Sequence, residues 1–266
     1  MISISNAHVD VIITYSDKMS AFNERIKSIS IKEILIVIIF SSIFVYGLRL
    51  FGIDINERYF YLMIIIYFIF RLRNYFNEFK SDAEDVFSEV SFKEILGIVL
   101  LNIFFSYGML YLAKFGGSFL PVKSLNFEGA SGLFFIVAVS PLIEELMFRG
   151  VFLNKLKLIV PTLFAVLISS LLFASLHTFG SIFSAFIFGI CISILYLKTE
   201  NILVAIFAHF LNNLIGEGIF HMDSQAVLFS NGTLIAVMSI LAIISFILII
   251  KFIISSWDTL NNPKTN

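Results

Sequence analysis

"SPLIEELMFRG", residues 140–150, sets two adjacent carboxylates and an arginine inside an otherwise apolar run. The rest of the chain says what kind of run this is. Of 266 residues, 59% are hydrophobic, 32 are Phe and only 14% are charged, with a mean hydropathy of +0.96. Soluble domains run about 45–50% apolar and about 25% charged. The composition predicts an all-α, polytopic transmembrane helix bundle, with the lipid bilayer as its solvent. The three charges of 140–150 therefore lie at membrane depth.

Outward from that stretch, about eight spans are predicted: 32–50, 56–72, 94–114, 131–152, 160–178, 181–198, 202–220 and 233–255. They form a transmembrane domain, 32–255, between an N-terminal cytoplasmic or interfacial arm, 1–31, and a C-terminal tail, 256–266. Arg73 to Glu94 reads as the main hydrophilic loop. The first basic residue is Lys18 and no compact apolar core precedes a cleavage site, so no signal peptide is expected. With the N terminus inside, thirteen Lys and Arg fall in inside segments and four (Arg49, Arg58, Lys114, Lys123) outside, leaving out Arg149. That bias predicts N-in and C-in. The net charge of −1 and the lack of a nucleic-acid motif exclude a polyanionic partner. Cys191 is the only cysteine and reads as packing. Ser181, Ala185, Gly189 and Ser193 form a small-residue stripe suited to close helix packing.

Charges at the centre of a membrane helix cost about 2.5–3.5 kcal/mol each, on the order of 8–10 kcal/mol for Glu144, Glu145 and Arg149 before pairing. Ionisable residues kept there carry a functional hypothesis. Spacing divides the three. Glu145 and Arg149 stand at i and i+4 and can pair on one face. Glu144 lies about 100° around the helix from Glu145 and stays freer. A desolvated carboxylate of that kind suits activation of water. A buried ion pair fixing helix packing explains Glu145 and Arg149 but not Glu144. Pro141 is placed to kink or start a helical segment.

Of four histidines, His8 in the arm and His221 beyond the seventh span carry no expected catalytic role. His177 and His209 lie in or at the ends of apolar spans. Glu144 is 17 residues before Pro161 and His177 is 16 after it. On antiparallel helices both sit about 25 Å from that turn and can face each other. His209 and Asn213 share a face at i and i+4, with Asn212 as a competitor. Glu217 and His221 continue the stripe outward as the wet end of a cavity.

Three segments then stand in order: Glu144-Glu145-Leu-Met-Phe-Arg149, Phe173-Ala-Ser-Leu-His177 and His209-Phe-Leu-Asn-Asn213. Together they resemble the CAAX-protease and bacteriocin-processing family of intramembrane proteases, also called the Abi family, over roughly residues 130–215. The resemblance implies peptide-bond hydrolysis within the membrane, in a peptide or membrane-protein substrate. It implies Glu144 as activator of water and His177 as its assistant or as a metal ligand. His209 and Asn213 would hold the oxyanion or complete a metal site, and Glu145 with Arg149 would shape the pocket. Two schemes fit the residues. A divalent metal such as zinc would take Glu144, His177 and His209 as ligands. A metal-independent site keeps Glu144 as base, with Asn213 and His209 as donors. Usage rich in Ile, Phe, Asn and Lys suggests a bacterial cell membrane, and with it bacteriocin or peptide processing or self-immunity.

Two other readings remain. "GASG", residues 129–132, matches the pattern around a rhomboid-like serine nucleophile at Ser131, although a helix N-cap explains that serine more simply. A non-catalytic membrane scaffold or immunity protein, binding a peptide or partner, would also keep the bundle.

Overall fold

The computed structural model of the protein describes residues 19–53, 58–115, 129–177, 181–223 and 225–261. His8, most of the expected arm, the loop holding Lys123 and the end of the tail lie outside the described residues. Helix is the only regular structure among those described. In chain order the main helices are α1 (Ala21–Ser28), α2 (Ile31–Leu50), α3 (Arg58–Leu72), α4 (Phe79–Val86), α5 (Glu89–Phe115), α6 (129–156), α7 (Thr162–Ser175), α8 (Ile182–Thr199), α9 (Ile202–Met222) and α10 (Gly232–Asn261), with a single turn, Val227–Ser230, before the last. A helix thus occupies each of the eight apolar stretches. Five of them, in α2, α5, α8, α9 and α10, are long and apolar enough to cross a membrane. The apolar α7 has 14 residues and α3 has 15.

The sequence starts these helices with side-chain caps. Ser30 and Glu33 form a reciprocal capping box at α2. Ser20, Ser181 and Asn201 accept backbone N–H groups at the starts of α1, α8 and α9. Between α8 and α9 the chain turns at Glu200, held at φ 52°.

Burial sorts the helices. α8 is enclosed on all sides from Ile187 to Tyr196, as a helix apolar all round must be. α2 and α10 are the reverse. Ile36, Phe40 and Ile43 of α2 and Ile240, Ile243 and Ile247 of α10 are each more than half exposed. Such continuous apolar faces would aggregate in water and are at home in lipid.

The stretch read as a hydrophilic loop is folded. A 3-10 turn, Arg73–Glu78, leads into α4, where Asp82 is buried. Asp82 accepts hydrogen bonds from Ser20 Oγ (2.8 Å) and Asn23 Nδ2 (3.0 Å). Burial pushes its carboxyl above the ordinary range, against the Ser20 bond. The amphipathic α1 packs on α6, with Ile26 filling the space that a Gly150 Cβ would take, 2.5 Å away. Short polar helices of this kind escape a search for apolar spans.

α5 and α10 lie closest at Gly108, where an added Cβ would come within 2.4 Å of Ala242 Cβ. One turn away, the Phe105 and Phe246 rings stack at 5.2 Å. Gly108→Ala is expected to destabilise the bundle by about 1–3 kcal/mol through overpacking. Ala242→Gly in the same chain restores most of the loss. Thermal melting of the single and double variants in detergent checks the coupling, and additive effects would contradict it.

Candidate active site

α6 changes register twice. It is α-helical over Gly129–Phe134, π-helical over Phe135–Val139, α-helical over Ser140–Glu145 and π-helical over Leu146–Leu153. Pro141 lies inside the continuous helix at the junction of the first π segment and the middle α segment, where its missing N–H removes one rung of the carbonyl ladder. π turns loosen the carbonyl ladder and gather at functional sites. Here neighbouring side chains take up the displaced carbonyls. Ser169 Oγ donates to Phe148 O at 3.1 Å, and Asn154 Nδ2 to Arg149 O at 2.9 Å.

Glu145 and Arg149 form the expected i,i+4 pair at 2.9 Å, with both side chains wholly buried. Isolated charges would not survive there, and the arginine is held on every side. Nη2 donates to Gly189 O at 3.0 Å, Nε to Ser193 Oγ at 3.4 Å, and the guanidinium lies 4.2 Å over the Phe173 ring. The small-residue stripe on α8 is thus the arginine's berth as well as a packing seam. A Cβ on Gly189 would meet Arg149 Nη2 at 3.2 Å. Sequence reading assigned that stripe to packing alone; its signal was a glycine and a serine one turn apart facing a buried arginine.

Glu145 also holds a histidine. Its Oε1 lies 2.8 Å from His209 Nδ1. The carboxylate, ionised beside Arg149, only accepts, so Nδ1 carries the hydrogen. In neutral His209 the lone pair is then on Nε2. His177 is fixed in the same tautomer, because its Nδ1 lies 2.9 Å from the carbonyl of Phe173.

Glu144 turns the other way. Ser140 Oγ donates to its Oε1. Its Oε2 is buried without a hydrogen-bond partner and lies 3.8 Å from His177 Nε2. The expected meeting of Glu144 and His177 at one depth is therefore observed. One ligand atom each from Glu144, His177 and His209 lie within 4.8 Å of one another. With Glu144 ionised, Glu144, Glu145 and Arg149 together carry one net negative charge. A carboxylate oxygen and two Nε2 lone pairs form the donor set of a divalent metal such as zinc. Their Nδ1 partners, a carboxylate and a carbonyl, are those that hold metal-binding imidazoles. These residues fit such an ion.

Asn213 lies one turn beyond His209 on α9, and its Nδ2 donates to Ile136 O in the first π segment at 3.0 Å. Asn212 is drawn away to Asn102 of α5, at 2.9 Å. Ser140 and Asn102 take part in the site's hydrogen bonds and were not foreseen. Glu217 continues the stripe, half-buried, and His221 is exposed. Ser131 falls in the helical segment Gly129–Phe134, and its side chain lies outside what the structure describes.

Residues 126–215 match the family model of Rce1-like type II CAAX prenyl endopeptidases. The match spans all three motifs and bears out the resemblance read from them. No curated protein and no solved structure matches the chain. The matched family is one of proteases, and of the helices that carry its motifs α9 is long and apolar enough to cross a membrane and α7 is a shorter apolar helix.

Breaking the buried pair should cost far more than deleting it. Arg149→Met is expected to lose about 3–5 kcal/mol of stability by stranding Glu145. Glu145→Leu combined with Arg149→Met recovers most of that loss. A double-mutant cycle of melting in detergent reads the coupling, and equal losses in the single and double variants would refute it.

Proposed function

We propose that the protein is an intramembrane endopeptidase of the CAAX type, with Glu144 activating the attacking water. One observation carries this reading. A buried carboxylate oxygen without a hydrogen-bond partner lies beside two imidazoles whose Nδ1 atoms are engaged elsewhere, inside a segment that matches a peptidase family.

Water among these groups has a hydrogen acceptor in Glu144 Oε2 and another in His177 Nε2. Glu144 takes one proton as the water oxygen attacks the scissile carbonyl, and later gives it to the leaving amine. Ser140, donating to the other carboxylate oxygen, fixes the carboxylate plane. Asn213 offers N–H to the developing oxyanion. His209 joins it through an N–H only in the form that carries a hydrogen on both ring nitrogens. A divalent metal held by Glu144, His177 and His209 would supply Lewis-acid polarisation and a more acidic water. The same atoms support both schemes, which differ in whether Glu144 is a metal ligand or a free base. Glu145 and Arg149 act through geometry, holding His209 and closing α6 against α8.

In the same reading all eight apolar stretches cross the bilayer of a bacterial cell, with both termini inside, on the strength of the Lys and Arg bias. The substrates are small peptides or membrane-associated proteins, bacteriocin-type peptides among them.

An internally quenched peptide ending in a prenylated CAAX sequence is the first probe, with the full chain in proteoliposomes. Membrane proteomes of cells carrying the wild type or Glu144→Gln supply native substrates in parallel. Glu144→Gln is expected to lower kcat about 10²–10⁴-fold while leaving thermal melting unchanged. Turnover by Glu144→Gln equal to wild type would sink hydrolysis in favour of a binding role. A chelator that silences the wild type, with recovery on added zinc, selects the metal scheme. Full activity in chelator selects the metal-independent scheme, with Glu144 as free base.

A further inference from the structure

A line of three asparagine side chains crosses from α5 to α6 through α9. Asn102 Nδ2 donates to Asn212 Oδ1 at 2.9 Å. Asn212 Nδ2 donates to Asn213 Oδ1 at a longer 3.4 Å. Asn213 Nδ2 donates to Ile136 O at 3.0 Å. We propose that Asn102 and Asn212 are positioning residues for Asn213, setting which end of its amide is turned toward α6. This rests on the reading that Asn213 donates to a developing oxyanion.

The direction of the chain has a physical anchor. A backbone carbonyl only accepts, so the Asn213 atom facing Ile136 must be Nδ2. Its Oδ1 then turns back toward Asn212, which must offer N–H, and the Asn212 oxygen turns to Asn102. Reversing the order would press two carbonyl oxygens together at Ile136. Each link thus keeps the N–H edge of Asn213 toward the helix that carries Glu144. One N–H is engaged by Ile136, and the second has no partner among the described residues. Rotated by half a turn, the same amide would present an oxygen and repel an oxyanion.

Asn102 is poorly repaid for its place. It is 4% exposed, and its Oδ1 is buried without a hydrogen bond. A buried amide satisfied at one end is a weak packing device, since an apolar residue of similar size would avoid the desolvation cost. Its donor is what the fold uses. Asn102 also lies outside the matched segment 126–215, on a helix without a motif of its own. Ordinary inter-helix adhesion by asparagine is the competing account, and it predicts lost stability without an effect on Asn213.

The test uses the full chain in detergent, labelled with ¹⁵N-asparagine, and Asn213→Asp identifies the Asn213 side-chain amide signal. Asn102→Leu is expected to shift that signal and to lower kcat on the prenylated peptide about tenfold, with KM unchanged and melting close to wild type. Asn212→Leu cuts the same line from α9 and serves if Asn102→Leu does not accumulate. An unmoved Asn213 signal in a folded variant overturns the proposal. So does an undiminished kcat where Glu144→Gln is inactive. If Glu144→Gln is as active as wild type, the hydrolytic reading fails by itself, and the Asn213 signal still decides the positioning.

Discussion

The wholly buried pair of Glu145 and Arg149 is the contact on which the arrangement of four helices depends. Leaving either charge buried alone would cost about 3–5 kcal/mol, a large share of a typical domain's stability. The pair persists because neither partner relies on the other alone. The guanidinium reaches the backbone of α8 at Gly189, the hydroxyl of Ser193 and the ring of Phe173 on α7. The carboxylate reaches His209 on α9. One ion pair on α6 is thereby bonded to α8 and α9 and stacked on α7. The π register after Glu145 belongs to the same solution, because the carbonyls that it displaces find Ser169 and Asn154.

The division of labour between Glu144 and Glu145 follows from helix geometry. Adjacent residues point about 100° apart, so two neighbouring carboxylates face different surroundings. Glu145 faces the arginine and becomes structural. Glu144 faces the gap between α6 and α7 and keeps one oxygen without a hydrogen bond. Glu145 then reaches the chemistry indirectly, by deciding which nitrogen of His209 bears the hydrogen. Phe173 does the same for His177 through its carbonyl, while its ring lies under Arg149. Residues that look like motif spacers or packing are thus the ones that set the tautomers.

The helical stretches were legible because lipid imposes a length and a composition. A run such as Gly232–Trp257, whose most apolar window has a mean hydropathy of 3.0, has few other readings. The meeting of Glu144 and His177 was legible because a hairpin about Pro161 equates depth with distance along the chain. The π segments were not, since a change of backbone register leaves the residue pattern almost untouched. Nor were α1 and α4, whose short polar helices fold only by satisfying one another. The Asn102–Asn212 bond joins positions 110 apart in sequence, and neither asparagine announces its partner.

The helices before the motifs take part in the site through the start of α9. A helix N-terminus leaves backbone N–H groups without partners, and at α9 one of these is met from the N-terminal region. Asn23 of α1 accepts from Ile202 N at 2.8 Å, while Asn201 caps Leu203 N and donates to the backbone of Asp82 at 2.7 Å. Asn23 and Asp82 are themselves bonded. His209 stands two turns beyond this anchor. Its Nδ1 must stay within hydrogen-bonding reach of Glu145, a tolerance of a few tenths of an ångström, so a shift of α9 along its axis would break the contact. α1 and α4 hold the start of that helix, and α5 holds its middle through Asn102. Segments with no chemistry of their own thus fix the height at which the histidine meets the carboxylate.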